Sequence, residues 1–123
     1  EDQIAIEDQI TIAIYNALNN NNQSLLDDLF KKRGINENVL WSGYTPLRIA
    51  ITKKTSNLAS YLIKKGADCN LRTIDGDTPL HIAVRIGHIE NIKLLLKHGA
   101  DKNIKNNLQK TKQQLEGLSI KHP

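Results

Sequence analysis

The chain has 123 residues, 39% of them apolar and only five aromatic, with a net charge of +4. That length suits one domain with a thin layered core and excludes two ordinary domains; the absence of any run of eighteen apolar residues argues against a membrane-spanning helix. A single cysteine, Cys69, excludes an internal disulfide and a cysteine-based zinc cluster, and is compatible with a reducing, intracellular setting.

From the N-terminus, Glu1-Asp2-Gln3 lacks the basic start of a signal peptide, so no retained one is expected. Ile10, Ile12, Ala13, Ile14, Ala17 and Leu18 then predict a helix, which Ile4 and Ile6 can extend. Asn19-Asn20-Asn21-Asn22 is a polar turn. Leu25, Leu26, Leu29 and Phe30 are the inner face of a second helix, followed by Gly34-Ile35-Asn36.

A long internal repeat begins downstream. Gly43-Tyr44-Thr45-Pro46-Leu47-Arg48-Ile49-Ala50 returns thirty-three positions later as Gly76-Asp77-Thr78-Pro79-Leu80-His81-Ile82-Ala83. Gly66-Ala67-Asp68-Cys69-Asn70 returns at the same offset as Gly99-Ala100-Asp101-Lys102-Asn103. A period of this size means stacked units that bury their apolar faces against one another. Such a stack offers a long surface and no enclosed reaction chamber, so binding is the first functional expectation.

Each unit predicts two helices. Thr78 is a cap and Pro79 a first-turn proline, which needs no N–H there. The first helices are expected near 45–53 and 78–86, the second near 57–65 and 90–98. Gly87 separates the helices of the later unit, but Lys54 holds that position in the earlier one, where Ser56 or Asn57 is the expected cap. Gly99 closes the second helix of the later unit with positive φ. Leu94-Leu95-Leu96 is dense enough to be buried on two faces. Downstream, Lys112-Gln113-Gln114 replaces Pro79-Leu80-His81. Two outcomes stand for that end: a polar cap of one helix ending near Gly117, or a truncated unit.

Asp75 to Ala83, Gly87-His88-Ile89-Glu90, Leu94-Leu95-Leu96 and Gly99-Ala100-Asp101 closely resemble the ankyrin repeat. Gly43 to Asn70 resembles it nearly as well, with Arg48 and Lys54 as departures. The resemblance implies an all-α ankyrin-repeat solenoid of three or four stacked helix pairs with outward finger loops. It divides one domain, 1–123, into a degenerate N-terminal capping repeat (1–36), repeats at 39–70 and 72–103, and a partial C-terminal cap (105–123). Thr78 and His81 then tie turn to helix. Asp68 and Asn70, with Asp101 and Asn103, brace the turn into each finger. Cys69 takes the place of a small apolar residue.

In ankyrin-like stacks, partners meet the finger tips and the exposed side of the first helices. That implies a partner-binding set of Trp41, Ser42, Tyr44, Thr52, Arg72, Ile74, Asp75, Asp77 and Arg85. Trp41, Tyr44 and Ile74 are the candidate anchors, and Arg72 and Arg85 the candidate contacts to an acidic rim. Trp41 has a second reading, folded back onto the N-terminal unit. The expected function is a non-enzymatic protein–protein interaction module, monomeric unless bound to its protein partner and cytoplasmic. The alternative is a host-directed protein of a virus or intracellular microbe, acting in the host cytoplasm or nucleus. The high Ile, Asn and Lys content suggests that reading because an AT-rich genome produces it. No catalytic residue, cofactor or metal is expected, since the histidines lack companion groups and no phosphate loop or zinc signature occurs. The lysines after Lys97 are not clustered with arginines, which argues against nucleic acid.

Overall fold

The computed structural model describes residues 6–37, 39, 45–73 and 76–105. Among them are six helices and no strand: α1 (Ile6–Asn19), α2 (Gln23–Phe30), α3 (Pro46–Thr52), α4 (Ser56–Lys64), α5 (Pro79–Ile86) and α6 (Ile89–Lys97). They form three pairs, α1 with α2, α3 with α4, and α5 with α6. The first helices pack in a row, α1 on α3 on α5, and α4 packs on α6 beside it. Helix ends fall within one residue of the spans expected for 45–53, 57–65, 78–86 and 90–98. The expected extension at Ile4, and all of the expected C-terminal cap at 105–123 except Lys105, lie outside the described residues.

The repeat is a repeat of backbone geometry, more regular than the residues that carry it. Between the helices of each pair one residue is left-handed: Asn21 at φ 51, Lys54 at φ 60 and Gly87 at φ 80. The amide after it bonds back to a carbonyl in the first helix: Asn22 to Ala17, Thr55 to Ala50 and His88 to Ala83, at 2.9, 3.1 and 3.2 Å. These three alanines are buried, at 2%, 0% and 0% exposure. The left-handed residue turns the chain, the bond closes the helix end, and the small side chain lets the second helix fold back closely. Glycine accepts this conformation freely and asparagine tolerates it, whereas lysine does so at a cost.

Capping is less uniform. Thr45 and Thr78 each accept a bond from the amide three residues on, Arg48 and His81, at 3.4 Å in both cases. Asn22 caps α2 through Leu25 N–H at 3.1 Å. Neither Ser56 nor Asn57 caps α4. The cap position is Thr55, whose hydroxyl instead donates to the Ala50 carbonyl at 3.1 Å and so reinforces the closure.

One buried core runs through all three pairs. Its layers are in register: Ile14, Leu47 and Leu80 on the first helices, and Leu29, Leu62 and Leu95 on the second. Asn91 breaks the pattern. It stands at the register of the buried Leu58 and the exposed Leu25, is fully buried, and its amide has no hydrogen-bond partner among the described residues. A buried unsatisfied amide costs about 1–3 kcal/mol.

Polar contacts tie neighbouring units. Tyr61 of α4 is hydrogen-bonded to the Asp27 carboxylate of α2, and its hydroxyl also lies 3.2 Å from the Gln23 carbonyl. Burial first, then that carboxylate, pushes the Tyr61 hydroxyl well above its ordinary value of 10.0. The Tyr61 bond, followed by the charge of Lys65, holds Asp27 below the usual carboxylate range. Further along, the Asn36 side chain accepts from Asp68 N–H, and the Asn70 side chain from Asp101 N–H, both at 2.8 Å. Asp68 and Asp101 in turn accept from the amides of Asn70 and Asn103 at 2.8 Å. The expected bracing of the finger turns is therefore also a link between units. Gly66 and Gly99 close the second helices at φ 103 and φ 94.

His81 is 1% exposed. Its Nδ1 accepts from Thr78 N–H at 2.8 Å and lies 2.9 Å from the Thr78 hydroxyl, so the ring proton sits on Nε2. Burial above all lowers its pKa from 6.5, with Arg85 and Arg72 acting in the same direction. Asp77 and the Ile104 backbone oppose the shift without reversing it.

Two stability outcomes follow from this geometry. Lys54→Gly should raise the unfolding free energy by about 0.5–1 kcal/mol, the left-handed penalty less the glycine's extra unfolded entropy. Urea denaturation reads it directly; a lower midpoint would contradict the strained-lysine account. For His81 the unfolded chain takes up a proton at higher pH than the folded one. Its contribution to stability is therefore complete above about pH 6.5 and falls as the pH drops through 6.5 towards the lowered folded value. Urea midpoints should decline from pH 7.5 to 5.5 in the native chain (roughly one unit either side of the free imidazole value). His81→Asn should be less stable at neutral pH and show a shallower decline; an identical pH slope would remove His81 from the account.

Candidate interaction surface

The two regular first helices are almost wholly consumed by the core. In α3 the residues Pro46, Leu47, Ile49, Ala50 and Ile51 are buried, and in α5 every residue from Pro79 to Val84. Each helix leaves one exposed side chain, Thr52 in α3 and Arg85 in α5. These two occupy the same register, and Asn19, also exposed, precedes them by one unit. The three residues thus form a row across the ends of the first helices.

Arg85 is anchored within that row. Its Nη2 donates to Asp77 Oδ2 at 2.8 Å, with the arginine side chain 50% exposed and the aspartate 8%. The pair spans the junction between finger and helix. Asp77 therefore departs from the expectation of an open finger residue: its carboxylate is buried and turned to Arg85. What it contributes to a surface is the position of a half-exposed guanidinium, a planar group suited to a partner's carboxylate.

Arg72 lies on the finger and is exposed, but its guanidinium is engaged. Nε donates to the Gly76 carbonyl at 3.2 Å and Nη2 to the Lys105 carbonyl of the next unit at 2.8 Å. Within the finger, Thr73 N–H donates to the Asp77 carbonyl at 2.8 Å and Gly76 N–H to the Thr73 carbonyl at 2.9 Å. Arg72 thus stiffens one finger against the next. Trp41, Ser42, Tyr44, Ile74 and Asp75 lie outside the described residues.

No group of three metal-ligating side chains occurs among the described residues, and no described helix is long and apolar enough to cross a membrane. Cys69 is buried as a free thiol. Burial, and secondarily Asp68, raises its pKa above the ordinary thiol value, which disfavours the nucleophilic thiolate. Two details of the surface escape the sequence reading: the Asp77–Arg85 pair, eight residues apart and detectable only once a helix places them together, and the finger-to-finger bond of Arg72.

Comparison with curated proteins gives no significant match. The sequence profile of the ankyrin repeats, in three copies, matches residues 11–106. That span takes in α2 to α6 and most of α1, so it reaches into the N-terminal pair, whose sequence is degenerate. Ankyrin repeats are generally protein–protein interaction modules and typically non-enzymatic. With three helix pairs closed in the same way and the profile covering most of its length, this chain belongs to the ankyrin-repeat family.

Proposed function

We propose that the chain binds a protein partner through its finger tips and the open ends of its first helices, without catalysis of its own. The observation that carries this reading is the row at Thr52 and Arg85, where two otherwise buried helices each leave one side chain open beside a finger. Arg85 is held in place by Asp77 before any partner arrives, so less side-chain entropy is lost on binding. Trp41, Ser42 and Tyr44 of the preceding finger, and Ile74 and Asp75 of the next, supply the rest of the surface in this reading. In sequence the first set precedes Thr52 and the second precedes Arg85, each within its own unit. Trp41 is the large apolar anchor and Arg85 the charged contact, a pairing that commonly dominates interface energetics. A reducing, cytoplasmic setting is part of the proposal, supported by the buried free thiol of Cys69.

The test uses a partner isolated from cell extract, purified and titrated against variants. Trp41→Ala should weaken binding by at least about 2 kcal/mol, and Arg85→Ala by about 1 kcal/mol or more. The circular-dichroism spectrum of Trp41→Ala should match that of the native chain. Retained affinity in both variants would reject this surface, and parallel loss of fold and affinity at Trp41 would assign that residue to the core.

A further inference from the structure

The row of second helices carries a different feature. At the C-terminal ends of α2, α4 and α6, residues at the same register are Lys31, Lys64 and Lys97, and the next are Lys32, Lys65 and His98. All six are exposed. A lysine at a helix C-terminus complements the helix dipole, which accounts for one per helix and not for a band two residues wide.

The acidic groups nearby do not neutralise the whole band. Lys65 lies 3.6 Å from Asp27, and Lys31 lies 3.9 Å from Asp28. Asp68 and Asp101 accept from the backbone of their own turns. Glu90 sits at the opposite end of α6 and accepts from Ser56 Oγ at 3.2 Å. Lys32, Lys64 and Lys97 make no ion pair among the described residues. They stand on three successive layers, and packed helices lie about 8–10 Å apart.

Beside this band is a hollow of about 410 Å3 between the first and second units, lined by Asp27, Phe30, Lys31, Ile35 and Lys65. Phe30 and Ile35 are partly buried hydrophobics packed against the core, so the floor is apolar; the rim carries two amines, Lys31 and Lys65, and one carboxylate, Asp27. An apolar floor with two amines at its edge suits a bulky apolar side chain whose neighbours are carboxylates.

From these two features we infer that the lysine band and the Phe30–Ile35 hollow form a docking surface for an acidic protein segment carrying one bulky apolar residue. The spacing fits such a segment. A polyproline-II segment has three residues per turn and rises about 3.1 Å per residue, so carboxylates three residues apart share one face at about 9 Å spacing, matching one lysine per layer. Nucleic acid fits less well. The band contains no arginine, whose planar fork pairs with phosphate oxygens. This surface is on the second-helix side and stands independently of the finger surface proposed above.

The test uses the full chain and a fluorescein-labelled peptide with glutamate at every third position, neutral spacers and one central leucine, read by fluorescence anisotropy. Binding should be saturable and weaken with added salt. A triple Lys32→Gln, Lys64→Gln, Lys97→Gln variant should lose about tenfold in affinity or more, the combined loss of three exposed ion pairs. Replacing the peptide's leucine by serine should also weaken binding. Lys53→Gln, near the opposite end of α4, should bind as the native chain does, and melting curves confirm that each variant is folded. Equal affinity in the triple variant, no binding at millimolar protein, or tighter binding of a single-stranded oligonucleotide or phosphatidylserine vesicles at the same salt would overturn the inference.

Discussion

The stack depends on one closure, made three times. An amide after a left-handed residue reaches back to the carbonyl of a buried alanine, Ala17, Ala50 or Ala83. This bond fixes the angle at which each second helix returns along its first. The closure recurs at one register in every unit, and with it recur the buried Ile14, Leu47 and Leu80 of the first helices and Leu29, Leu62 and Leu95 of the second. Short helices of seven to nine residues, such as α3 and α6, are marginal alone in water. Here they are stable because closure and register make each one part of a continuous core.

Both surfaces follow from that geometry. On the first-helix side the core takes nearly every residue of α3 and α5, so only the last turn and the fingers remain to contact a partner. The fingers are joined by Asn36, Asn70 and Arg72, each bonding to the backbone of the unit that follows. On the second-helix side the outer face stays open. Lysines that recur at one register there form a band because the stack keeps the register across layers. A periodic sequence on an aperiodic fold would scatter the same charges.

Much of the scaffold was legible in the sequence because it is governed by local rules. Pro46 and Pro79 mark first turns, Thr45 and Thr78 cap them, and Gly66 and Gly99 mark ends. The missing glycine at Lys54 was visible, but not its consequence: the chain keeps the left-handed turn and accepts a less suitable residue, because the layers on either side fix the backbone. The cap of α4 differs from expectation because Ser56, Asn57 and Thr55 all have capping side chains, and only the fold shows Thr55 drawn to Ala50. Tertiary pairings such as Asp77 with Arg85 and Tyr61 with Asp27 have no local signature. Asn91 reads as an ordinary start to a second helix; its burial at the register of Leu58 becomes apparent only when the units are stacked.

Amide hydrogen exchange at the closure bonds tests the central claim most directly. Thr55 and His88 donate to Ala50 and Ala83 at 3.1 and 3.2 Å, and both lie just outside the helices, where no regular helical bond would protect them. If closure is what holds the pairs in register, these two amides exchange only through unfolding of the central stack, with the same free energy as the core amides of Leu62 and Leu95. Exchange at the rate of an open loop, while Leu62 and Leu95 stay protected, would show that the layers hold their register without the closure and would contradict this account.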